Sequence, residues 1–132
     1  MKTFVDASVI VAIVGNEPGW ETLADTLDAA DLRLWSPVSQ WESTAGVRVR
    51  LKKSPEAANA MVQDFAAENR LNLVSIGRVE SDLALDAFAR FGKGTGHPAQ
   101  LNMGDCFAYA CAKANHARLL YKGNDFMHTD LA

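Results

Sequence analysis

The chain carries the stretch Met103-Gly104-Asp105-Cys106-Phe107-Ala108-Tyr109-Ala110-Cys111-Ala112-Lys113-Ala114, and soon after it Arg118-Leu119-Leu120-Tyr121-Lys122-Gly123-Asn124-Asp125-Phe126. The first part is rich in alanine and predicts a helix with the carboxylate of Asp105 in its first turn. A tight turn at Asn115-His116 then leads into a short apolar strand, and Asp125 follows the end of that strand. Two acidic side chains are therefore expected at neighbouring edges of one sheet.

Length and composition predict one compact domain over residues 1–132. Of the 132 residues, 48% are hydrophobic, which is enough for a sizeable core. The longest apolar run, Val9 to Val14, is far shorter than a membrane span. The start Met1-Lys2-Thr3 leads directly into a strand pattern without a signal-peptide hydrophobic region, so we expect a soluble cytoplasmic protein.

Charge and cysteine content narrow the function classes further. The net charge of −3 argues against a protein that holds nucleic acid by overall charge alone. One local basic cluster is present, and at the end of a helix it is also explained by the helix dipole. Its members are Arg48, Arg50, Lys52 and Lys53. The two cysteines, Cys106 and Cys111, lie five residues apart on one predicted helix, so we expect reduced thiols and no zinc site.

The order of apolar runs and helical periodicity predicts an α/β domain with a mostly parallel sheet. Strands are predicted at residues 3–5, 32–35 and 72–75 and directly after residue 117, and helices at residues 7–14, 19–28, 38–51, 55–70, 79–91 and 103–114. Pro55 after Ser54 is typical of a helix start, with a serine cap and proline at the first helical position. In the helix over residues 38–51, Trp41, Ala45 and Val49 are expected to face inward.

Four carboxylates are expected to meet where the parallel strands end. Asp6 ends the first strand, and Asp125 lies just past the last one. Asp105 and Glu42 are placed in the first turns of helices on the same side of the sheet. In open α/β sheets, function concentrates at the carboxyl edge, beside the switch in strand order.

Carboxylates so close together repel one another, and a hard divalent cation is the usual compensation. Oxygen ligands without His or Cys favour Mg²⁺ or Mn²⁺ over zinc, and Mg²⁺ keeps several waters. We therefore assign Asp6 and Asp105 as direct ligands, with Glu42 and Asp125 acting through water or on a second ion. A metal held in this way can activate water for attack on a phosphodiester, which predicts a nuclease centre.

At these residues the chain resembles the PIN-domain ribonucleases, and specifically the VapC toxins of bacterial VapBC toxin–antitoxin pairs. The resemblance runs over the whole chain. Its motifs are Phe4-Val5-Asp6-Ala7-Ser8, Trp41-Glu42, Gly104-Asp105-Cys106-Phe107-Ala108-Tyr109-Ala110, Gly123-Asn124-Asp125-Phe126 and Thr129-Asp130. One departure is that the chain ends two residues after Asp130, which leaves no room for the last edge strand of some relatives.

The resemblance implies a PIN-like three-layer α/β/α domain with a central sheet of four to five strands. It also implies that Asp6, Glu42, Asp105 and Asp125 form the acidic quartet of the family, with the hydroxyl of Ser8 supporting the first acid. The implied activity is magnesium-dependent endonucleolytic cleavage of RNA. The implied partners are an RNA substrate, a VapB-type antitoxin and a second copy of the chain in a homodimer, with a heterotetramer or larger assembly in the antitoxin complex.

Two other functions stay open on the sequence. A phosphotransfer domain is disfavoured, because Ser8 stands where phosphatases of that type have a second aspartate, and Leu73-Val74-Ser75-Ile76 offers no acceptor aspartate. A catalytically silent PIN module that binds RNA or a protein partner is the other alternative, and the intact acids argue against it.

Several further residues are expected to be structural. We expect His97, His116 and His128 to have structural or surface roles, and Asp130 to be a solvated acid near a terminus. The loop Gly92 to Gly96 lacks the Lys-Ser/Thr ending of a phosphate loop and is interpreted as a mobile loop at the rim of the site. Trp20, Trp35 and Trp41 are expected in the core, although Trp41, beside Glu42, could also stack on a base.

Overall fold

A computed structural model describes all residues from 1 to 132. Four strands and six helices follow one another along the chain. They are β1 (Lys2–Val5), α1 (Ala7–Val14), α2 (Trp20–Asp28), β2 (Leu32–Trp35), α3 (Pro37–Leu51), α4 (Pro55–Glu68), β3 (Leu71–Leu73), α5 (Arg78–Phe91), α6 (Met103–Ala114) and β4 (Arg118–Leu120). Every predicted element is present, with ends shifted by at most two residues.

The sheet has the order β3-β2-β1-β4, and all of its pairings are parallel. Successive strands pair from β1 outward to β3, and the chain then crosses back to add β4 on the other side of β1. The reversal of strand order therefore lies at β1, and the backbone N–H of Asp6 extends the pairing by donating to the carbonyl of Leu120 at 2.9 Å. Ligands of open parallel sheets bind at such a reversal.

Alternating side chains of the strands divide the core into two halves. Phe4 and Leu34 face a cluster built from α5 and α6, whereas Val5 and Trp35 face a cluster built from α1 to α4. Period-two alternation of a strand buried on both faces produces this division. The three-layer α/β/α arrangement and the predominantly parallel sheet are confirmed, with four strands.

Local capping explains where the helices begin. Ser36 accepts from the N–H of Ser39 at the start of α3, and Ser54 accepts from the N–H of Ala57 at the start of α4, which has proline at its first position as predicted. Each cap satisfies a backbone N–H that has no partner inside its helix. Cys106 and Cys111 are free and buried, as expected. No helix combines the length and the apolar character that a bilayer crossing requires.

The orientation of α3 differs from the prediction. Trp41 is 71% exposed and Val49 is 73% exposed, while Ser43 and Val47 are fully buried. Small residues decide this orientation: a Cβ on Gly46 would collide with the Val11 side chain, so α3 packs on α1 through its glycine face. Trp41 and Val49 are left outside, and the expectation that they face inward is wrong.

Two smaller placements also differ. Because α3 begins at Pro37, Glu42 lies in the second turn of the helix and no acid lies in the first. Of the three tryptophans expected in the core, Trp35 is buried and Trp20 is half-buried, so only Trp41 is displaced to the surface.

Candidate metal centre and active site

One cleft at the carboxyl edge of the sheet brings all four predicted acids together. It has a volume of about 420 Å³ and lies next to β1, where the strand order reverses. Its lining residues are Asp6, Ala7, Ser8, Val11, Glu17, Glu42, Asp105, Lys122, Gly123 and Asp125. The convergence of acids from four distant parts of the chain therefore follows from the sheet topology.

Asp6 occupies the first residue after β1 and caps α1. Its carboxylate accepts a hydrogen bond from the N–H of Ser8 at 3.0 Å, and the side chain is only 7% exposed. The hydroxyl of Ser8 in turn accepts from the backbone N–H of Lys122 at 2.9 Å, just past β4. The hydrogen bond that caps α1 therefore also holds the Asp6 carboxylate in place at the cleft, directly after the end of β1.

Asp105 is held by a capping box at the start of α6. Its Oδ2 accepts from the N–H of Asn102 at 3.1 Å, and its own N–H donates to Oδ1 of Asn102 at 2.9 Å. The predicted position in the first turn of α6 is confirmed. Since two reciprocal bonds fix it, Asp105 presents its remaining oxygen to the cleft without rotating freely.

Glu42 is positioned by steric contact with the neighbouring helix. Its carboxylate lies directly over Gly104, and a Cβ at that position would overlap the carboxylate oxygens. Gly104 is buried in the first turn of α6, next to Asp105. The glycine therefore creates the space in which α3 can bring a carboxylate up to α6.

Asp125 comes from the turn after β4 and is exposed. The turn passes through Gly123, whose φ of 95° is in the left-handed region that favours glycine. Asp125 reaches the cleft from the solvent side, while Asp6 and Asp105 form its buried floor.

Burial and mutual repulsion raise the pKa values of three of these acids. Burial raises the pKa of Asp105 to about 7, against the hydrogen bond from Asn102, and the charges of Asp125, Asp6 and Glu42 add to the increase. Burial and the charge of Asp6 raise the pKa of Glu42 to about 7. Burial also raises the pKa of Asp6, although its hydrogen bonds from Ser8 oppose the increase. The cleft is therefore short of positive charge.

The donor set fits a hard divalent cation. All of the acids offer oxygen ligands, and neither His nor Cys lines the cleft. No three His, Cys, Asp or Glu side chains are arranged around a single point as a preformed cage. A site with one or two direct carboxylates and several waters, which Mg²⁺ prefers, matches this arrangement.

Two charged residues that line the cleft, Glu17 and Lys122, were not predicted as part of the acidic site. Glu17, from the turn after α1, lines the cleft and accepts from the ammonium of Lys122 at 3.0 Å. Its other carboxylate oxygen lies 3.8 Å from Nη1 of Arg50 near the end of α3. Arg50 belongs to the predicted basic cluster, but only the fold brings it to Glu17.

Other predicted features lie outside the cleft. Asp130 is not a free solvated acid, since it accepts from the hydroxyl of Tyr109 at 2.7 Å and forms an ion pair with Lys113. Thr129 is buried and bonds within its own turn. The three histidines and the loop Gly92 to Gly96 contribute no lining residue, so this loop does not form the rim of the cleft.

Several known proteins are similar to this chain over almost its whole length. A family model described as PIN domain matches residues 3–131. The chain is similar to a VapC ribonuclease of Rhizobium meliloti, with 45% identity over 98% of this chain and 99% of that protein. It is also similar to ribonuclease VapC28 of Mycobacterium tuberculosis, with 38% identity over 95% of this chain and 92% of that protein.

A solved structure has the same fold at low sequence identity. It is VapC20 of Mycobacterium tuberculosis, described as a toxin that cleaves the sarcin–ricin loop. The TM-score is 0.78 and the identity is 12%, and the match covers 98% of this chain and 96% of that one.

Gly104→Ala is expected to separate stability from metal binding. Alanine in a helix stabilises by about 1 kcal/mol over glycine, whereas its methyl group would push away the Glu42 carboxylate. We expect an unchanged or higher melting temperature and a roughly tenfold or larger loss of Mg²⁺ affinity, as for other changes beside metal ligands. Calorimetric titration measures the affinity. Gly77→Ala, where a Cβ meets only ordinary contacts, is the control, and unchanged Mg²⁺ affinity in Gly104→Ala would contradict the placement of Glu42.

Asp105→Asn is expected to stabilise the metal-free protein at alkaline pH. The folded pKa of Asp105 is about 7 against an ordinary value of 3.8, so between these values the folded state binds more protons and stability falls as pH rises. In EDTA, the variant should therefore melt a few degrees above the wild type at pH 8. The difference should shrink toward pH 5, as measured by differential scanning fluorimetry.

Asp64→Asn, on the exposed face of α4, is the matched control, and its effect on the melting temperature should not vary in this way. If Asp105→Asn is no more stable than the wild type at pH 8, burial and repulsion of the ionised Asp105 carboxylate do not oppose folding.

Proposed function

Because the chain belongs to the PIN-domain family and shares 45% identity with a VapC ribonuclease, we propose that it is the toxin of a VapBC-type pair. Its activity is then that of an endoribonuclease, which hydrolyses internal phosphodiester bonds of RNA. The single observation that supports this activity best is the cleft in which Asp6, Glu42, Asp105 and Asp125 meet.

Ribonucleases of the PIN family are generally metal-dependent, and for this chain we propose Mg²⁺, with Mn²⁺ as a substitute. Asp6 and Asp105 would be the direct ligands, because hydrogen bonds fix both carboxylates at the buried floor of the cleft. Glu42 and Asp125 would act through water or on a second ion. When bound, the ion would polarise the scissile phosphate and lower the pKa of a water.

Other side chains of the cleft would hold the metal ligands in position and accept a proton from the attacking water. Ser8 keeps Asp6 fixed through its N–H, and Asn102 does the same for Asp105. The Glu42 carboxylate, held at the cleft beside Asp105, can accept a proton from an attacking water. Gly104 keeps that carboxylate beside Asp105.

VapC toxins pair with VapB antitoxins and act on RNA, and we propose both kinds of partner for this chain. The assembly would be a homodimer, and a heterotetramer or larger complex with the antitoxin, acting in the cytoplasm. The alternative is a catalytically silent PIN module that binds RNA or a protein. The complete acidic cleft favours the enzyme, because bringing four carboxylates together would repel an RNA phosphate and has no advantage for simple RNA binding.

Removing either floor carboxylate is expected to abolish most of the activity. In Asp6→Asn and Asp105→Asn, Mg²⁺-dependent cleavage of structured RNA should fall by about a hundredfold or more, because each change removes stabilisation of the transition state. Asp64→Asn should cleave at the wild-type rate, and circular dichroism confirms folding. Wild-type activity in both Asp6→Asn and Asp105→Asn would contradict the assignment of these residues as metal ligands. A wild-type protein that binds RNA without cleaving it would support the silent module.

Trp41 is expected to contact the RNA, because it is 71% exposed and precedes Glu42 on α3. Stacking of a base on an aromatic ring contributes about 1–3 kcal/mol, so Trp41→Ala should weaken RNA binding by roughly 5- to 150-fold, while Trp41→Phe retains most of it. Fluorescence anisotropy with a non-cleaving variant measures the affinity. Wild-type affinity in Trp41→Ala would show that the side chain does not contact RNA.

A further inference from the structure

The acidic cleft contains one ammonium group among five carboxylates. Its lining carboxylates belong to Asp6, Glu17, Glu42, Asp105 and Asp125, and its lining ammonium to Lys122. An RNA phosphate that enters the cleft would be repelled by these acids, even where a bound cation compensates those on the floor. The position of Lys122 therefore bears directly on how a polyanion could enter.

The backbone of Lys122 is tied to the floor of the cleft. Its N–H donates to the hydroxyl of Ser8 at 2.9 Å, and the N–H of Ser8 donates to Asp6 at 3.0 Å. Two hydrogen bonds thus connect the lysine to the acid at the end of β1. Wherever the side chain turns, its origin stays at a fixed distance from Asp6.

The side chain of Lys122 rests on Glu17 and remains accessible. Its Nζ donates to Oε1 of Glu17 at 3.0 Å, and 35% of the lysine side chain is exposed. A lysine carries a compact charge on a flexible stem of four carbons, so it can exchange one oxygen partner for another without moving the backbone. Ion pairs with this much exposure contribute little to stability.

Glu17 has a second cation in reach. Its Oε2 lies 3.8 Å from Nη1 of Arg50, and its backbone N–H donates to the carbonyl of Ala12 at 2.8 Å. Because Arg50 remains beside the carboxylate, the negative charge of Glu17 stays compensated when Lys122 leaves it. Glu17 can therefore release the ammonium group of Lys122 without being left as an unpaired charge.

We propose that Lys122 forms a phosphate-binding subsite for the RNA backbone at the mouth of the cleft. In the free protein, Glu17 holds the ammonium. When RNA binds, Lys122 turns to an oxygen of a backbone phosphodiester, while Glu17 keeps its contact with Arg50. This inference rests on the proposed ribonuclease function, because it takes RNA as the ligand.

The test measures RNA affinity against salt concentration, in Mg²⁺, in a protein that also carries Asp105→Asn so that the RNA stays intact. Loss of one phosphate contact to single-stranded RNA lowers the slope of log affinity against log salt by about 0.7. Lys122→Gln should show this reduction together with weaker binding, and Lys122→Arg should retain the slope. Lys2→Gln is the control, since Lys2 lies at the opposite end of β1 and donates to Asn115.

Glu17→Gln distinguishes a phosphate subsite from a structural ion pair. Removing the competing carboxylate should leave RNA affinity unchanged or raise it a few-fold, opposite to the effect of Lys122→Gln. If both variants weaken RNA binding and lower the melting temperature equally, or if the slope is unchanged in Lys122→Gln, the subsite is refuted.

Failure of the subsite and failure of the proposed function are distinguishable. A wild-type protein that cleaves RNA, together with an unchanged slope in Lys122→Gln, refutes only the subsite. A wild-type protein that binds RNA without cleaving it refutes the enzyme, while a reduced slope in Lys122→Gln would still support the lysine as a phosphate contact.

Discussion

The parallel pairing of β1 with β4 is the constraint on which the cleft depends. It brings residues about 115 positions apart into register, as in the pairing of Thr3 with Arg118. The N–H of Asp6 extends this pairing to Leu120, and the hydroxyl of Ser8 extends it to Lys122. Without β4 beside β1, Asp125 and Lys122 would have no fixed relation to Asp6.

The remaining structure holds acids where they are individually unfavourable. Burial raises the pKa of Asp6, Asp105 and Glu42, so the ionised cleft opposes folding in the absence of a cation. Two apolar clusters on opposite faces of the sheet provide the stability that offsets this cost. A well-packed core beside a cluster of acids with raised pKa values is typical of functional sites, where a bound ligand compensates the negative charge.

Much of the fold could be predicted from the sequence, because its signals are local. Ser54-Pro55 marks a helix start, and the short apolar run Thr3-Phe4-Val5, which ends at Asp6, marks a buried strand. The four acids could also be predicted to converge, since Asp6, Asp105 and Asp125 stand next to a strand end or a helix start and Glu42 lies one turn into α3. Their proposed roles rest on that placement and on membership of the PIN family.

What the sequence by itself determined was the succession of elements and the edge of the sheet where the acids gather, because capping and periodicity depend on neighbouring residues. Only the tertiary structure decided which side of α3 faces inward, because α3 packs closely on Val11 of α1 at Gly46 and leaves Trp41 exposed. The same holds for the contacts of Glu17 with Lys122 and of Asp130 with Tyr109, which join side chains 105 and 21 residues apart. Pairings over such distances depend on how whole elements pack, and no local pattern encodes them.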